Sequence, residues 1–280
     1  LPLRSEFYIS TDNVGSATRG AAQAMLAKTY LYQEKWLQAY ETAKKVIESR
    51  EFWLEGDTGH NEPHFITRLA KEGEVTVQIP GYKWIWQPEA NNCLESIFDV
   101  QHNQTGSVIF PEGQEGSLVP QYYGPRAVLI YRVDEKQKKD IVGPKEYFWG
   151  CILPTHYFIY TAYRNIGCMD DQGMILDPRF RLSVIAPEDS VPYCYSDTAY
   201  RAKYPDSVKI DLYYNYPASG YSTWKYFTDP YFALKRASLG DYPQNTKYFR
   251  FADLLLIGAE AGVNSGHEID ALIWINRVRD

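Results

Sequence analysis

His60-Asn61-Glu62-Pro63-His64 comes nearest in this sequence to a catalytic metal motif, with two imidazoles four residues apart and a carboxylate between them. A zincin places its glutamate directly after the first histidine and needs an unbroken helix to bring both rings to one face. Glu62 stands one position too late and Pro63 opposes the helix, so no metal is expected there. Asp170-Asp171 offers adjacent carboxylates, whereas a glycosidase needs two carboxyls facing each other across the scissile bond. An acidic turn before Gly173 is the simpler reading, and Met169 to Gly173 lacks the ligand spacing of an EF-hand loop. Cys93, Cys151, Cys168 and Cys194 contain no C-x-x-C pair and so suggest no zinc site. Their even number permits two disulfides and requires none. No G-x-S-x-G, P-loop or dinucleotide fingerprint is present, and no cofactor is expected. The residues that stand out are aromatic: 24 Tyr and 7 Trp, with aromatics at 15% of the chain. Each joins a flat apolar face to a polar edge, which suits stacking on the C–H face of a sugar. For any one of them the alternative is packing in the core.

Charge narrows the partners. A net charge of -6 over 280 residues argues against nucleic acid, which needs a clustered basic face. The one dense basic run, Lys136, Lys138 and Lys139, is flanked by Asp134, Glu135 and Asp140 and reads as a solvated loop. A chain of this length buries roughly three quarters of its unfolded surface, so a core is available without staples. No run of about 18 apolar residues predicts a spanning helix. Leu1-Pro2-Leu3-Arg4 carries no initiator Met or signal peptide, and Asn276 to Asp280 lies in a helical pattern without a cap, so the sequence reads as a fragment.

The elements that must position the aromatics fall into two textures. From Ser16 to Ser49, Ala22, Met25, Leu26, Thr29 and Tyr30 form one helical stripe, with Ala22 and Ala27 small enough for a close helix approach. Gln33-Glu34-Lys35 makes a turn, and Trp36, Ala39, Tyr40, Ala43, Val46 and Ile47 form a second stripe. This predicts an antiparallel hairpin of tetratricopeptide-like chemistry, a unit that must stack on neighbours to bury its outer face. A second hairpin is expected from Lys247 to Val263 and Ile269 to Val278, turning at Asn264-Ser265-Gly266, with Ala252, Ala259 and Ala261 facing Leu255, Leu256 and Ile273. Trp36, Trp53 and Trp274 fall on stripes or helix ends and read as core. Between the hairpins the sequence is rich in Pro, Gly, Tyr and Trp. Short strands are expected at Val75 to Ile79, Ser96 to Gln101, Val128 to Val133 and Arg181 to Ile185, and a helix after Pro154-Thr155 through Tyr163. So long a stretch is better read as a folded lobe than as one loop. The fold class is mainly α, with tetratricopeptide-like hairpins at 15–50 and 246–280 and an irregular aromatic-rich lobe with short strands at 51–245.

Five segments in order resemble the SusD-like (SusD/RagB) nutrient-binding family. They are the hairpin from Ala21 to Ser49, Leu94-Glu95-Ser96-Ile97-Phe98-Asp99-Val100-Gln101, and Trp149-Gly150-Cys151-Ile152-Leu153-Pro154-Thr155 followed by Asp177-Pro178-Arg179. Arg250 to Ala261 and the helix from Ala271 to Arg279 complete the series. Gly56 to Glu89 has no counterpart in the pattern. The resemblance implies a lipid-anchored protein on the outer face of the outer membrane, paired with a SusC-like TonB-dependent transporter. It also implies capture of an oligosaccharide or polysaccharide without hydrolysis, and a family signal peptide and anchor that this sequence does not show.

On that resemblance, sugar-stacking aromatics are sought on irregular segments, with amides to hold hydroxyls. The candidates are Tyr82, Trp84, Trp86, Gln121, Tyr122, Tyr123 and Trp149, with Asn103 as a polar partner. In an extended stretch Trp84 and Trp86 would share one face as a platform, or else an edge strand packing on the helices. Tyr122-Tyr123 sits in a turn-rich loop between Pro120 and Gly124-Pro125, and Trp149 serves either binding or packing. A helical-repeat scaffold for a protein partner and a glycoside hydrolase are the competing readings.

Overall fold

A computed structural model of the chain describes residues 1–70, 73–104, 116–124, 150–162, 177–186, 190–192, 207–209, 221–227 and 241–279. Among these the helices are α1 (Arg4–Phe7), α2 (Arg19–Tyr32), α3 (Trp36–Glu48), α4 (Gly81–Trp84), α5 (Val119–Tyr123), α6 (Pro178–Ser183), α7 (Phe251–Asn264) and α8 (Glu268–Arg279). The strands are β1 (His64–Ala70), β2 (Gly73–Ile79), β3 (Ser96–Val100), β4 (Val184–Ile185), β5 (Ser190–Pro192), β6 (Ser207–Lys209), β7 (Ser222–Thr223) and β8 (Thr246–Arg250). All pair two by two and antiparallel: β1 with β2, β3 with β8, β4 with β7 and β5 with β6. The long helices dominate and the strands are short. The chain forms two compact units, one from residues 1–63, 90–101 and 245–280, the other from 64–89 and 102–244.

The first unit is helical. Thr18 caps α2 by accepting a hydrogen bond from the Ala21 N–H at 3.3 Å, and Glu34 takes a left-handed φ of 56° in the turn to α3. The buried face of α2 is Ala21, Ala24 and Ala27, while Met25 and Leu26 are 37% and 43% exposed and Ala22 is exposed as well. The expected stripe is therefore rotated: small residues let α3 and α7 approach, and the larger side chains are left outside. The seam between α7 and α8 is corrected in the same sense. Leu256 and Ile273 are exposed, and Gly258 lies against the Trp274 ring and Ala43 while Gly262 lies against Ala271. Trp274 is buried as expected, and Trp36 and Trp53 are only partly buried.

The predicted helix from Lys247 starts late. Thr246–Arg250 is strand β8, paired with β3 from Ser96↔Arg250 to Val100↔Thr246, and α7 begins at Phe251. The reason is local. Alternation sends Lys247 and Phe249 inward with Tyr248 exposed, and the Asp253 carboxylate accepts the Arg250 N–H at 3.0 Å to open the helix. Inside, the Lys247 ammonium donates to Ser96 Oγ at 2.7 Å and the Ala90 carbonyl at 3.1 Å, and pairs with Asp99 at 3.3 Å. Arg250 pairs with Glu95 at 2.7 Å. These buried pairs tie Glu95 and Asp99 to Arg250 and Lys247 of β8, and removing one partner of either would leave an uncompensated buried charge.

The second unit carries the β1–β2 hairpin, in register from His64↔Ile79 to Ala70↔Gly73, and small elements around a buried Phe180, Val184 and Ile159. Arg181 to Ile185, expected as one strand, is the end of helix α6 followed by β4, because Pro178 sets a helical start. The helix expected after Thr155 is described as a π-helical turn over Tyr157–Ala162, with Thr155 Oγ1 accepting the Phe158 N–H at 3.1 Å. The expected strand Val128 to Val133 lies outside the described residues. The Cys93 and Cys151 thiols are free. Among the described residues no helix is long and apolar enough to cross a membrane.

Candidate functional site

Gly81–Trp84 is a single helical turn rather than an extended stretch. The Lys83 and Trp84 N–H groups both donate to the Pro80 carbonyl at 2.9 Å, and the Ile85 N–H donates to Gly81 at 3.0 Å. Pro80, with its fixed φ and extended ψ, leads the chain into this turn. Helical geometry sets Tyr82 and Trp86 on one side and Trp84 on another, so Trp84 and Trp86 do not form one platform. Trp84 stacks on His64 with centroids 4.1 Å apart, and Trp86 is buried at 5% exposure.

Trp86 instead supports other rings. Tyr82 meets it edge-on at 6.4 Å, Tyr226 at 5.0 Å, and Tyr123 lies 5.1 Å from Tyr226. Gln87 Nε2 donates to the Phe227 carbonyl at 3.0 Å, and Gln244 Nε2 donates to the Trp86 carbonyl, fixing the base of the cluster. Tyr82 and Tyr123 then rise to line a cavity of about 440 Å³, within the size range of small-molecule sites. Ile152, Leu153, Pro154 and Phe158 make its apolar side, and Ser183, Thr223 and Lys225 its polar side.

Backbone bonds hold these walls. The Tyr122 carbonyl accepts the Cys151 and Ile152 N–H groups at 2.9 and 3.2 Å, so α5 anchors the segment that carries the apolar side. Ser183 Oγ is 3.1 Å from the Tyr82 hydroxyl, and the Ser183 carbonyl accepts from Thr223 Oγ1 at 3.0 Å and from the Trp224 N–H at 2.8 Å. The strand pair β4–β7 thus places Thr223 and the following turn at the mouth. In that turn the Phe227 N–H donates to the Trp224 carbonyl at 3.1 Å, and Tyr226 takes a left-handed φ of 61°. Such a φ is uncommon for a bulky non-glycine residue, so the surrounding contacts hold it.

Of the residues predicted from sequence, the structure gathers Tyr82, Trp86 and Tyr123 into this cluster. Gln121 is fully buried, Tyr122 is 37% exposed on the outer side of α5, and Asn103 is exposed after β3 and does not line the cavity. Trp149 lies outside the described residues. Sequence reasoning did not single out Tyr226, Ser183, Thr223, Phe158 or Lys225. A signal existed for three of them in Ser222-Thr223-Trp224-Lys225-Tyr226-Phe227, a run as aromatic as the one around Trp84. His60 and His64 stack on Trp53 and Trp84, and His64 opens a strand rather than standing on a helix. Two phenol rings, two hydroxyls, an apolar wall and one ammonium form a surface able to stack a ring and bond its hydroxyls.

A model of the SusD family matches residues 134–280. No match was found among curated proteins. Among solved structures, a SusD-like protein from Bacteroides fragilis NCTC 9343 aligns with 96% of this chain and 48% of its own, at 20% identity and a TM-score of 0.60. Surface glycan-binding protein A from Bacteroides thetaiotaomicron aligns with 99% of this chain and 49% of its own, at 16% identity and a TM-score of 0.61. Surface glycan-binding protein A from Bacteroides uniformis aligns with 100% of this chain and 45% of its own, at 18% identity and a TM-score of 0.56. At such identities the likeness is one of fold, and the chain spans about half the length of each of these structures.

Proposed function

This chain belongs to the SusD family, and from that premise we propose that its Tyr82–Tyr123 pocket captures a sugar unit of an oligosaccharide or polysaccharide at the cell surface. The observation that carries the reading is the convergence of two half-buried phenol rings on one cavity, buttressed by Trp86 and Tyr226. Rings held this way lose little freedom when a sugar face stacks on them. Ser183 and Thr223 offer hydroxyls at the ring edge, and Tyr122 extends the aromatic surface on α5. The names of the solved relatives, surface glycan-binding proteins, support the same assignment.

The wider role follows the family. The whole protein would sit lipid-anchored on the outer face of the outer membrane and pass glycans to a SusC-like TonB-dependent transporter. The described lining offers aromatic faces, hydroxyls and an ammonium, groups that hold a sugar, so the reading assigns capture to this chain and bond cleavage to another protein.

Affinity electrophoresis against a polysaccharide panel tests it. At least one glycan should retard the wild-type chain without release of free sugar. Tyr82→Ala and Tyr123→Ala should each weaken that binding by about 2 kcal/mol or more while the thermal melt stays near wild type. Retardation unchanged in both variants would remove the pocket from the site, no retardation by any glycan would favour a protein-binding scaffold, and released sugar would make the chain a hydrolase.

A further inference from the structure

We propose that this pocket prefers a sugar bearing an anionic substituent, a carboxylate or a sulfate ester, and that Lys225 selects it; the inference rests on the glycan-capture reading above. Lys225 is the one charged side chain among the described residues of the lining. Its ammonium lies 5.1 Å over the Trp86 ring, and among the described residues no carboxylate pairs with it. A cation held over a buried indole keeps its position while its outer side stays free to donate hydrogen bonds.

The turn that carries Lys225 is fixed at every step. Its N–H donates to Thr223 Oγ1 at 3.1 Å, Tyr226 is held left-handed behind it, and Phe227 closes the turn on Trp224. The turn therefore delivers the Lys225 side chain to the cavity beside Tyr82 and Tyr123, and its contact with the Trp86 ring restrains the ammonium there. A neutral sugar stacked there would offer this ammonium hydroxyl acceptors but no counter-charge. A carboxylate or sulfate would receive charge-assisted hydrogen bonds from it. With the chain at a net charge of -6, this is a local attraction and not part of a generally anion-binding surface.

Four probes decide it by calorimetry at low salt: an oligogalacturonate and its methyl-esterified form, and a sulfated galactan oligosaccharide and its desulfated form. The wild-type chain should bind one acidic probe about tenfold or more tightly than its neutral partner. Lys225→Met, with an unchanged thermal melt, should erase that preference, so that acidic and neutral probes bind alike, and Lys225→Arg should keep it. The arm that responds identifies carboxylate or sulfate. Equal binding of acidic and neutral probes, or a preference that survives Lys225→Met, overturns the inference. Neutral binding that Tyr82→Ala abolishes but that shows no acidic preference leaves the capture reading standing and sinks this one. Failure of the wild-type chain to bind any of the four probes sinks this inference, and it counts against the capture reading only if no polysaccharide of the panel retards the chain either.

Discussion

Asp270 shows how one carboxylate ties a helix into the first unit. It accepts hydrogen bonds from the Lys44 ammonium at 2.8 Å and from the Tyr40 hydroxyl, joining α8 to α3. The Lys44 hydrogen bond, then that of Tyr40, holds the Asp270 carboxyl below its ordinary 3.8. The Asp270 hydrogen bond in turn pushes Lys44 above its ordinary 10.5. A depressed carboxylate stabilises the fold above its unfolded value and loses that contribution as pH falls through the folded value, while a raised ammonium contributes below its unfolded value and loses it as pH rises. The cluster is thus at full strength across neutral pH. Asp270→Asn should lower stability in denaturant unfolding at pH 7, with a smaller deficit at a pH below the ordinary carboxylate range, where the unfolded chain takes up the proton. An equal deficit at both pH values would show that shape and not charge is at stake. The same scale explains what was legible of the pocket. Residue type pointed to Tyr82 and Tyr123, since both lie in runs with Pro and Gly neighbours where packing claims fewer rings. It could not show that Trp86 points inward, because that depends on Gln244, 158 residues away in sequence. Lys225 was hidden for a similar reason, since an isolated lysine signals nothing until the ring beneath it is known.

Helices were legible as elements and misread as surfaces. The turn at Gln33–Lys35 falls between α2 and α3 as the period-3.6 pattern requires, and α8 spans the predicted Ile269 to Val278. The faces differ because a hydrophobicity stripe is weighted toward Met25 and Leu26, whereas close packing selects Ala21, Ala24 and Ala27. The late start of α7 was invisible because Lys247 to Arg250 has helix-compatible residues, and its pairing with β3 depends on residues about 150 positions earlier. Gly258 measures how tight the resulting seam is. A Cβ there would stand 2.8 Å from the Trp274 ring and 3.3 Å from Ala43 Cβ, at the meeting of α3, α7 and α8. Alanine gains about 1 kcal/mol of helix propensity over glycine, while forced overpacking costs about 1–3 kcal/mol. Gly258→Ala should therefore destabilise by roughly 1 kcal/mol net in urea unfolding, despite being a better helix former. Trp274→Phe removes the ring atoms in the way, so the double variant should be more stable than the sum of the two single changes allows. Strict additivity would mean that the backbone shifts to absorb the methyl and that the seam is looser than its geometry implies.

At the scale of the molecule, the sequence order of hairpin, lobe and hairpin is not the order of packing. Residues 51–63 and 90–101 belong with the helices, and 245–280 returns to complete the same unit. Phe52 is buried against Phe251 with rings 6.4 Å apart, and β3 pairs with β8, so the first unit closes only when its last stretch is in place. Helix α7 contributes most of what the hairpin packs on: Phe251, Leu254, Leu255, Ala259 and Ala261 are all buried in the core shared with Ala24, Ala39 and Ala43. Helices of 14 and 13 residues, as α2 and α3 are, sit at the margin of stability in isolation. An alanine face cannot make up the difference alone, since alanine buries little apolar area. A chain ending at Gln244 should therefore lose amide-exchange protection throughout α2 and α3, although every residue of that hairpin is retained. Adding the 245–280 peptide in trans should restore the protection, because the missing contacts are with α7 and β8 and need no covalent link. Native protection of the hairpin in the truncated chain would mean that α2 and α3 form a stable unit by themselves and that α7 is laid onto a finished core, contrary to the interlocked packing of Gly258, Ala43 and Trp274.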